Sequence, residues 1–254
     1  MPKNPKPDQS FDSIAKKFDS NIYGSTKGKL RHQLLVYHLT KHIDFKNKTL
    51  KVLDAGGGTG VMTETLLQYD CNITLNDISA ETLALAKQRL PKDASVKYSL
   101  QSVQDLPEGE CYDVIICHAV LEWLSSPLEV IDQLLTKLNP KGYLSLSFFN
   151  RDAHIFGNLL YGNFDYVKAG MKRKNTVRLN PNNSLKPSTV LDYLSEFPIK
   201  VIHQAGIRCF HDYLKQSDMQ TSHYQQLFEM EQRFSDQSPF MWLGKYFHVI
   251  VQLD

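Results

Sequence analysis

Residues 53–60 read Leu-Asp-Ala-Gly-Gly-Gly-Thr-Gly and stand between a hydrophobic run, 49–55, and a stretch of helical character. Glycine reaches backbone conformations closed to other residues and lets a ligand lie against the main chain. Asp77 ends the next apolar run, 72–78, where a carboxylate can accept both hydroxyls of a ribose. The chemistry implied is the holding of a nucleoside-bearing cofactor. Two classes compete. A dinucleotide fingerprint, G-x-G-x-x-G, is met at Gly56 and Gly58, but Val61 stands where the third small residue belongs. The phosphate-binding pattern G-x-x-x-x-G-K-[ST] is missing from the sequence. Asp54, directly before the glycines, suits a ligand with a cation and an amino-acid moiety better than a pyrophosphate. That favours S-adenosylmethionine, with Asp54, Gly56, Gly57, Gly58 and Asp77 as its candidate ligands.

Other reactive side chains lie further along. His118 closes the run 112–118, and a hydrogen-bonding role at the cofactor suits it better than base catalysis; Glu122 and Trp123 follow as candidate pocket wall. Arg208, His211, Asp212 and Tyr213 cluster after another apolar run. No serine nucleophile elbow accompanies that His–Asp pair, and the histidines lack metal-ligand spacing, so no metal is expected. Arg208, His211 and Tyr213 read instead as the catalytic, substrate-side groups. Cysteines 71, 111, 117 and 209 form no CxxC pair and read as buried thiols of a reducing, cytoplasmic compartment. The opening residues, MPKNPKPDQSFDS, carry no signal-peptide core, and the longest apolar runs fall short of the roughly 20 residues that cross a membrane.

The elements that must position these groups follow from periodicity. The spacing predicts a short amphipathic helix over 11–22, a glycine joint at Gly24 and Gly28, and a longer helix from Leu30 to Ile43. Strands at 49–55, 72–78, 95–100, 112–118 and 143–149 alternate with helices at 79–90 and 127–138. That alternation predicts a doubly wound α/β fold with a mostly parallel sheet. A helix over 187–197, a strand with a glycine break over 199–210, a helix over 221–235 and a strand over 244–253 complete the pattern. The last strand pair suits an antiparallel edge, giving seven strands. With 254 residues, 42% of them hydrophobic, the chain reads as one domain, 1–254, with an N-terminal helical flap, 11–43. Segment 154–187 breaks the rhythm and reads as an inserted binding element.

This pattern resembles the class I S-adenosylmethionine-dependent methyltransferases over residues 50–150, through the Asp54–Gly60 loop, Asp77, the Ser102-Val103-Gln104-Asp105 turn and HAVLEW at 118–123. A narrower resemblance covers nearly the whole chain. NIYGSTKGKLR, HAVLEW, GNFDYVKAGM with its KRK, and GIRCFHDYL together are similar to the bacterial methyltransferases of 5-carboxymethoxyuridine in tRNA. What the resemblance implies is a Rossmann-like seven-stranded fold and methylation of that nucleoside's carboxylate at the wobble position, giving its methyl ester. It also implies a site in which Arg31, Gly56, Gly57, Asp77, Val103, Gln104 and His118 surround the cofactor. Tyr23 could close over it.

A net charge of +2 looks unfit for a polyanionic partner, but its distribution is uneven. Residues 166–191 carry +6 and residues 1–31 carry +4, which leaves −8 for the rest. Lys168, Lys172, Arg173, Lys174 and Arg178 are the candidate nucleic-acid contacts, with Asn163, Phe164, Tyr166 and Asn175 placed for stacking and edge contacts with unpaired bases. The expected partner is a tRNA anticodon stem-loop, with no membrane involved. The rival expectations are methylation of a small carboxylic acid or phenol, and a noncatalytic, cofactor-gated RNA-binding protein.

Overall fold

A computed structural model describes residues 10, 12–15, 19, 24–46, 48–171 and 183–254. Seven strands, β1 (Leu50–Ala55), β2 (Cys71–Asp77), β3 (Val96–Leu100), β4 (Tyr112–His118), β5 (Leu138–Phe149), β6 (Ile199–Ile207) and β7 (Tyr246–Leu253), form one sheet in the order β3-β2-β1-β4-β5-β7-β6. The first five pair in parallel, and β7 runs antiparallel to both β5 and β6. The antiparallel strand is therefore second from the edge, and β6 is the edge itself.

Helices cover both faces: α1 (Thr26–His42), α2 (Val61–Leu66), α3 (Ala80–Arg89), α4 (Pro127–Leu135), α5 (Arg151–Leu160), α6 (Phe164–Lys168), α7 (Pro187–Leu194), α8 (Met219–Ser222) and α9 (Tyr224–Phe234). Successive strand residues point to opposite faces, so each strand feeds two cores. Leu53, Ile115 and Val249 pack with Ile131 and Leu134 of α4 and Val190 of α7. Their neighbours Val52, Ile116 and Ile250 pack with Leu30, Leu34 and Leu39 of α1. A sheet buried on both faces needs the near-continuous apolar runs seen in the sequence. The winding reverses between β1 and β4, and the crevice beyond the strands' C-terminal ends there is where such sheets bind ligands.

Several element boundaries differ from those expected. Helix α1 begins four residues earlier than Leu30, because Ser25 caps it and accepts from the Gly28 N–H; Gly28 lies inside the first turns and is no joint. Helix α4 stops at Leu135, and β5 starts at Leu138. The Pro140-Lys141-Gly142 turn is absorbed as a bulge in β5, between the Tyr112↔Leu138 and Val114↔Tyr143 pairs, with Lys141 at φ +61°. Strand β6 does not break at Gly206: the irregularity falls between Val201 and His203. Gly206 is instead a point of close approach, since a Cβ there would lie 2.5 Å from the Met241 carbonyl oxygen. Segment 154–187 opens as ordered structure, in α5 and α6.

Candidate functional site

The glycine loop leaves β1 at its C-terminal end and turns into α2. Gly56, Gly58 and Gly60 hold φ of +65°, +58° and +77°. A Cβ on Gly56 would meet Val120 at 2.6 Å, and one on Gly57 would meet Leu75 at 2.3 Å and Asp54 at 2.5 Å. One on Gly58 would meet only Asp77 Oδ2, at 4.0 Å. The first two glycines thus fit the loop to the protein, and the third leaves it open beside Asp77. Asp54 faces inward: its Oδ2 accepts from the Thr63 hydroxyl at 2.7 Å, and burial pushes its carboxyl up to about 6. It braces the loop from behind. Asp77 Oδ2 accepts from the Gly58 N–H at 3.0 Å, and Oδ1 accepts from the Ser79 N–H at 2.8 Å and the Thr82 hydroxyl at 3.0 Å. Burial raises its carboxyl above the ordinary range.

Described residues of the N-terminal segment lie over this lip. Asp12 accepts from the Ser79 hydroxyl at 2.6 Å, and Asp19 accepts from the Thr59 hydroxyl at 2.5 Å and takes both oxygens' worth of Arg89 Nη2 contacts at 3.0 Å. Tyr23 lies outside the described residues. Beyond β3, Val103 and Gln104 form the first turn of a short 3₁₀ helix, Val103–Asp105, capped by Ser102, whose hydroxyl accepts from the Gln104 N–H at 3.2 Å. His118 ends β4 and shares a 2.8 Å hydrogen bond with Ser145. Burial, helped by the charge of Arg31, holds its imidazole down to about 3, so it is neutral at physiological pH. The next residue, Ala119, holds φ +57°, a strained backbone of the kind found at functional turns.

A second group converges from the far half of the chain. Arg31, buried in α1, sets its guanidinium 5.2 Å from the centre of the Tyr246 ring, and Arg208 sets its own 5.8 Å from that centre. Arg208 follows β6 at φ +65°, and its Nε and Nη2 donate to the two oxygens of Asp212 at 2.7 and 2.6 Å. Burial alone would push Asp212 up, but the Arg208 charge, with a smaller part from His211, holds it well below the usual carboxylate range. His211 is buried, with Nε2 3.4 Å from the Thr26 hydroxyl. The Tyr213 hydroxyl donates towards the carbonyls of Leu243 at 3.0 Å and Ala153 at 3.3 Å, and burial raises its pKa. Arg208, His211 and Tyr213 are thus brought together, the latter two turned into the protein. Two residues of this region escaped sequence reasoning, Lys245 and Tyr246, which only the β6–β7 pairing brings here; Glu122, expected as pocket wall, is more deeply placed than that. The Glu122 carboxylate is fully buried, takes no hydrogen bond among the described residues, and is pushed up to about 7 by that burial.

Helices α5 and α6 extend from the same edge, and the aromatic rings at their junction face solvent, Tyr161 at 75% exposure and Phe164 at 56%. Lys168 ends α6. Lys172, Arg173, Lys174, Arg178 and Asn175 lie outside the described residues. The returning chain is stitched to the site: the Asn183 N–H donates to the Glu122 carbonyl at 3.1 Å, and the Leu185 N–H to the Phe149 carbonyl at 2.9 Å. Among the described residues, no group of three or more His, Cys, Asp and Glu side chains could hold a metal ion, and no helix is long and apolar enough to cross a membrane.

Comparison with known proteins fits this geometry. A family model described as a methyltransferase domain matches residues 53–146, from the glycine loop into β5. The tRNA 5-carboxymethoxyuridine methyltransferase of Escherichia coli (strain K12) is 37% identical over 248 residues, covering 95% of each chain. The malonyl-[acyl-carrier protein] O-methyltransferase of Halalkalibacterium halodurans is 32% identical over 130 residues, covering 49% of this chain and 48% of that one. Among solved structures, the magnesium protoporphyrin IX methyltransferase of Synechocystis PCC 6803, with bound SAH, superposes with a TM-score of 0.65 at 16% identity, covering 96% of both chains. The shorter match spans about half of each chain, whereas the E. coli relative is matched over nearly the full length of both. By that full-length similarity, the chain belongs to the tRNA 5-carboxymethoxyuridine methyltransferases, a family of class I S-adenosylmethionine-dependent enzymes.

Proposed function

We propose that this chain methylates the carboxylate of 5-carboxymethoxyuridine at the tRNA wobble position, giving the methyl ester, with S-adenosylmethionine as donor. The observation that carries it is the placement, at one end of the sheet, of the open glycine loop beside Asp77 together with Arg208 and the helices that bear exposed aromatics. The residues present fit the donor. Gly58 leaves the loop's open side free of side chain, Asp77 stands at its lip for the ribose, Val103 and Gln104 flank the adenine, and Arg31 and His118 take the amino-acid end. Asp54 acts through the loop it braces.

An acceptor carboxylate, with an ordinary pKa near 4, is already ionised at neutral pH and needs no general base. A neutral, buried His118 agrees with that. Bound S-adenosylmethionine supplies an electrophilic methyl: the acceptor oxygen forms the new C–O bond as the C–S bonding pair returns to sulfur, and no proton moves. The protein's task is then alignment and exclusion of water. Arg208, fixed by Asp212, orients the acceptor; Tyr213 and His211 hold the turn that carries it. Segment 154–187 forms the substrate side, with Tyr161 and Phe164 offering stacking faces to unpaired loop bases. The 11–43 segment is the flap over the donor. Four free cysteines suit a reducing compartment such as the cytoplasm.

Incubating the protein and donor with tRNA that contains the free acid is expected to convert it to the methyl ester, read by nucleoside mass spectrometry. No ester on such tRNA would sink the proposal. Neutralising Lys172, Arg173 and Lys174 together is expected to lower the salt dependence of tRNA binding by about 2 in log–log slope, while donor affinity holds. An unchanged slope would remove that segment from the interface.

A further inference from the structure

Lys245 stands just before β7, in the mouth of the site. Its backbone N–H donates to the Arg208 carbonyl at 3.2 Å, and its own carbonyl accepts from the Asn150 N–H at 3.1 Å. It is thereby fixed between the end of β6 and the end of β5. The ammonium sits 5.3 Å from the centre of the Phe149 ring, a cation–π placement on the last residue of β5. The side chain is half-buried, and among the described residues the ammonium has no carboxylate within ion-pair distance and no hydrogen-bond acceptor. Arg208 is similarly incomplete. Asp212 occupies its Nε and Nη2, and its Nη1 takes no acceptor among the described residues.

Two cationic side chains thus stand at the substrate edge with free hydrogens, and a single carboxylate, Asp212, is shared between their charges. Asp212 is committed to Arg208, and Glu122 is fully buried. Half-buried charges without partners cost stability, a cost proteins accept where a ligand supplies the opposite charge. The positive φ of Arg208 adds backbone strain at the same point. Burial lowers the Lys245 pKa; Asp212 opposes that, and the charges of Arg208 and Lys27 add to it.

We propose that Lys245 and the free Nη1 of Arg208 form the anion site that holds the acceptor carboxylate, and that this pair makes the chain selective for an ionised acid. Holding one carboxylate oxygen between them leaves the other exposed to the methyl donor. A monodentate hold also leaves the attacking oxygen's lone pairs undiminished, which a bidentate guanidinium clamp on the same group would not. The inference rests on the proposed function and adds the residue that reads the charge. A neutral phenol or ester would leave both cations unpaired.

The same chemistry could serve a phosphate of the tRNA backbone, and the experiment separates the two. Full-length protein is titrated with two anticodon stem-loops, one carrying 5-carboxymethoxyuridine and the other its methyl ester, at fixed salt. The wild type is expected to bind the acid at least ~10-fold more tightly, as a lost charge-assisted bond implies. Lys245→Met should bring the two affinities within threefold and cut kcat/KM for methyl transfer by ~100-fold, with the Kd for S-adenosylhomocysteine within twofold of wild type. Lys245→Arg should retain the preference for the acid. Weakening of acid and ester binding alike by Lys245→Met would assign the residue to a phosphate and overturn the inference. A wild type that binds both stem-loops equally would overturn it without any variant. Failure of the wild type to methylate the acid stem-loop is a different result: it removes the functional proposal, and this one with it.

Discussion

Replacing Asp77 with alanine is expected to raise the Kd for S-adenosylmethionine at least ~100-fold and to lower the melting temperature by several degrees. One carboxylate does two jobs at this lip. Its Oδ2 fixes the Gly58 N–H, and so the open face of the loop; its Oδ1 fixes the Ser79 N–H and the Thr82 hydroxyl, and so the start of α3. Alanine leaves the Gly58 and Ser79 N–H groups without this acceptor, while the Thr82 hydroxyl keeps the Ser79 carbonyl at 3.0 Å, and each buried donor so orphaned costs about 1–3 kcal/mol. At the proposed donor site the ligand loses its ribose acceptor as well, which accounts for the larger effect expected on binding than on folding. Asp77→Asn separates the two contributions. It keeps one carbonyl oxygen but turns an amide towards an N–H or hydroxyl donor, and it is expected to fall between wild type and alanine on both measures. Calorimetric titration with the donor and a thermal melt of the same sample check this. A Kd for Asp77→Ala within threefold of wild type would move the ribose elsewhere.

That such a variant could be named from the sequence reflects how local the donor half is. A strand, a glycine turn and the end of the next strand are close in sequence, and the steric demands of Gly56, Gly57 and Gly58 leave a mark that composition cannot hide. The alternation of apolar runs with amphipathic ones gave the order of the elements for the same reason. The acceptor half carries no such mark. Lys245 reaches Arg208 through the β6–β7 pairing, and Arg31 reaches Tyr246 only after α1 has packed across the sheet. Nothing in a lysine before an apolar run distinguishes it from the exposed lysines that begin many strands. Arg208 was legible as a candidate because His211, Asp212 and Tyr213 surround it in sequence, yet its backbone strain and its bidentate tie to Asp212 emerge only with the fold. The boundaries that moved, at Gly28, Pro140 and Gly206, share one cause. Glycine and proline read locally as breaks, and tertiary packing absorbs these residues into a helix, a bulge or a close backbone contact.

Histidines show the same limit on a larger scale, and they lead to a large effect of pH. His32 and His38 of α1, His118 of β4, His203 of β6 and His248 of β7 are far apart in sequence and are all buried or half-buried. His38 shares a 2.9 Å hydrogen bond with His203, and Ser145 joins His118 and His248 at 2.8 Å each. Burial holds His32 and His203 down to about 4, His118 to about 3 and His38 to about 2, and pushes His248 well below 6.5. All five therefore stay neutral in the folded protein as the pH falls, while the unfolded chain protonates them from 6.5 downward. Their contribution to stability is complete above 6.5 and is lost below it, at about 1.4 kcal/mol per pH unit for each. Asp54 and Glu122 act in the opposite sense. Burial raises their folded-state values to about 6 and about 7, so the folded protein keeps protons that the unfolded chain has released, and their contribution grows as the pH falls. Asp77 and Glu231, also raised by burial, add to that offset. The histidines outnumber the strongest of these carboxyls, and the net loss between pH 7 and pH 5.5 is expected to be roughly 3 kcal/mol by urea unfolding. Stability constant to within 1 kcal/mol over that interval would show that the imidazoles are already charged or already wet. His203→Gln should flatten the dependence by about 1.4 kcal/mol per pH unit, because it removes one proton that only the unfolded chain can take. His118 and His248, joined through Ser145, stay neutral in the folded protein over that interval, so the donor affinity of the folded protein is expected to hold while the fold itself weakens.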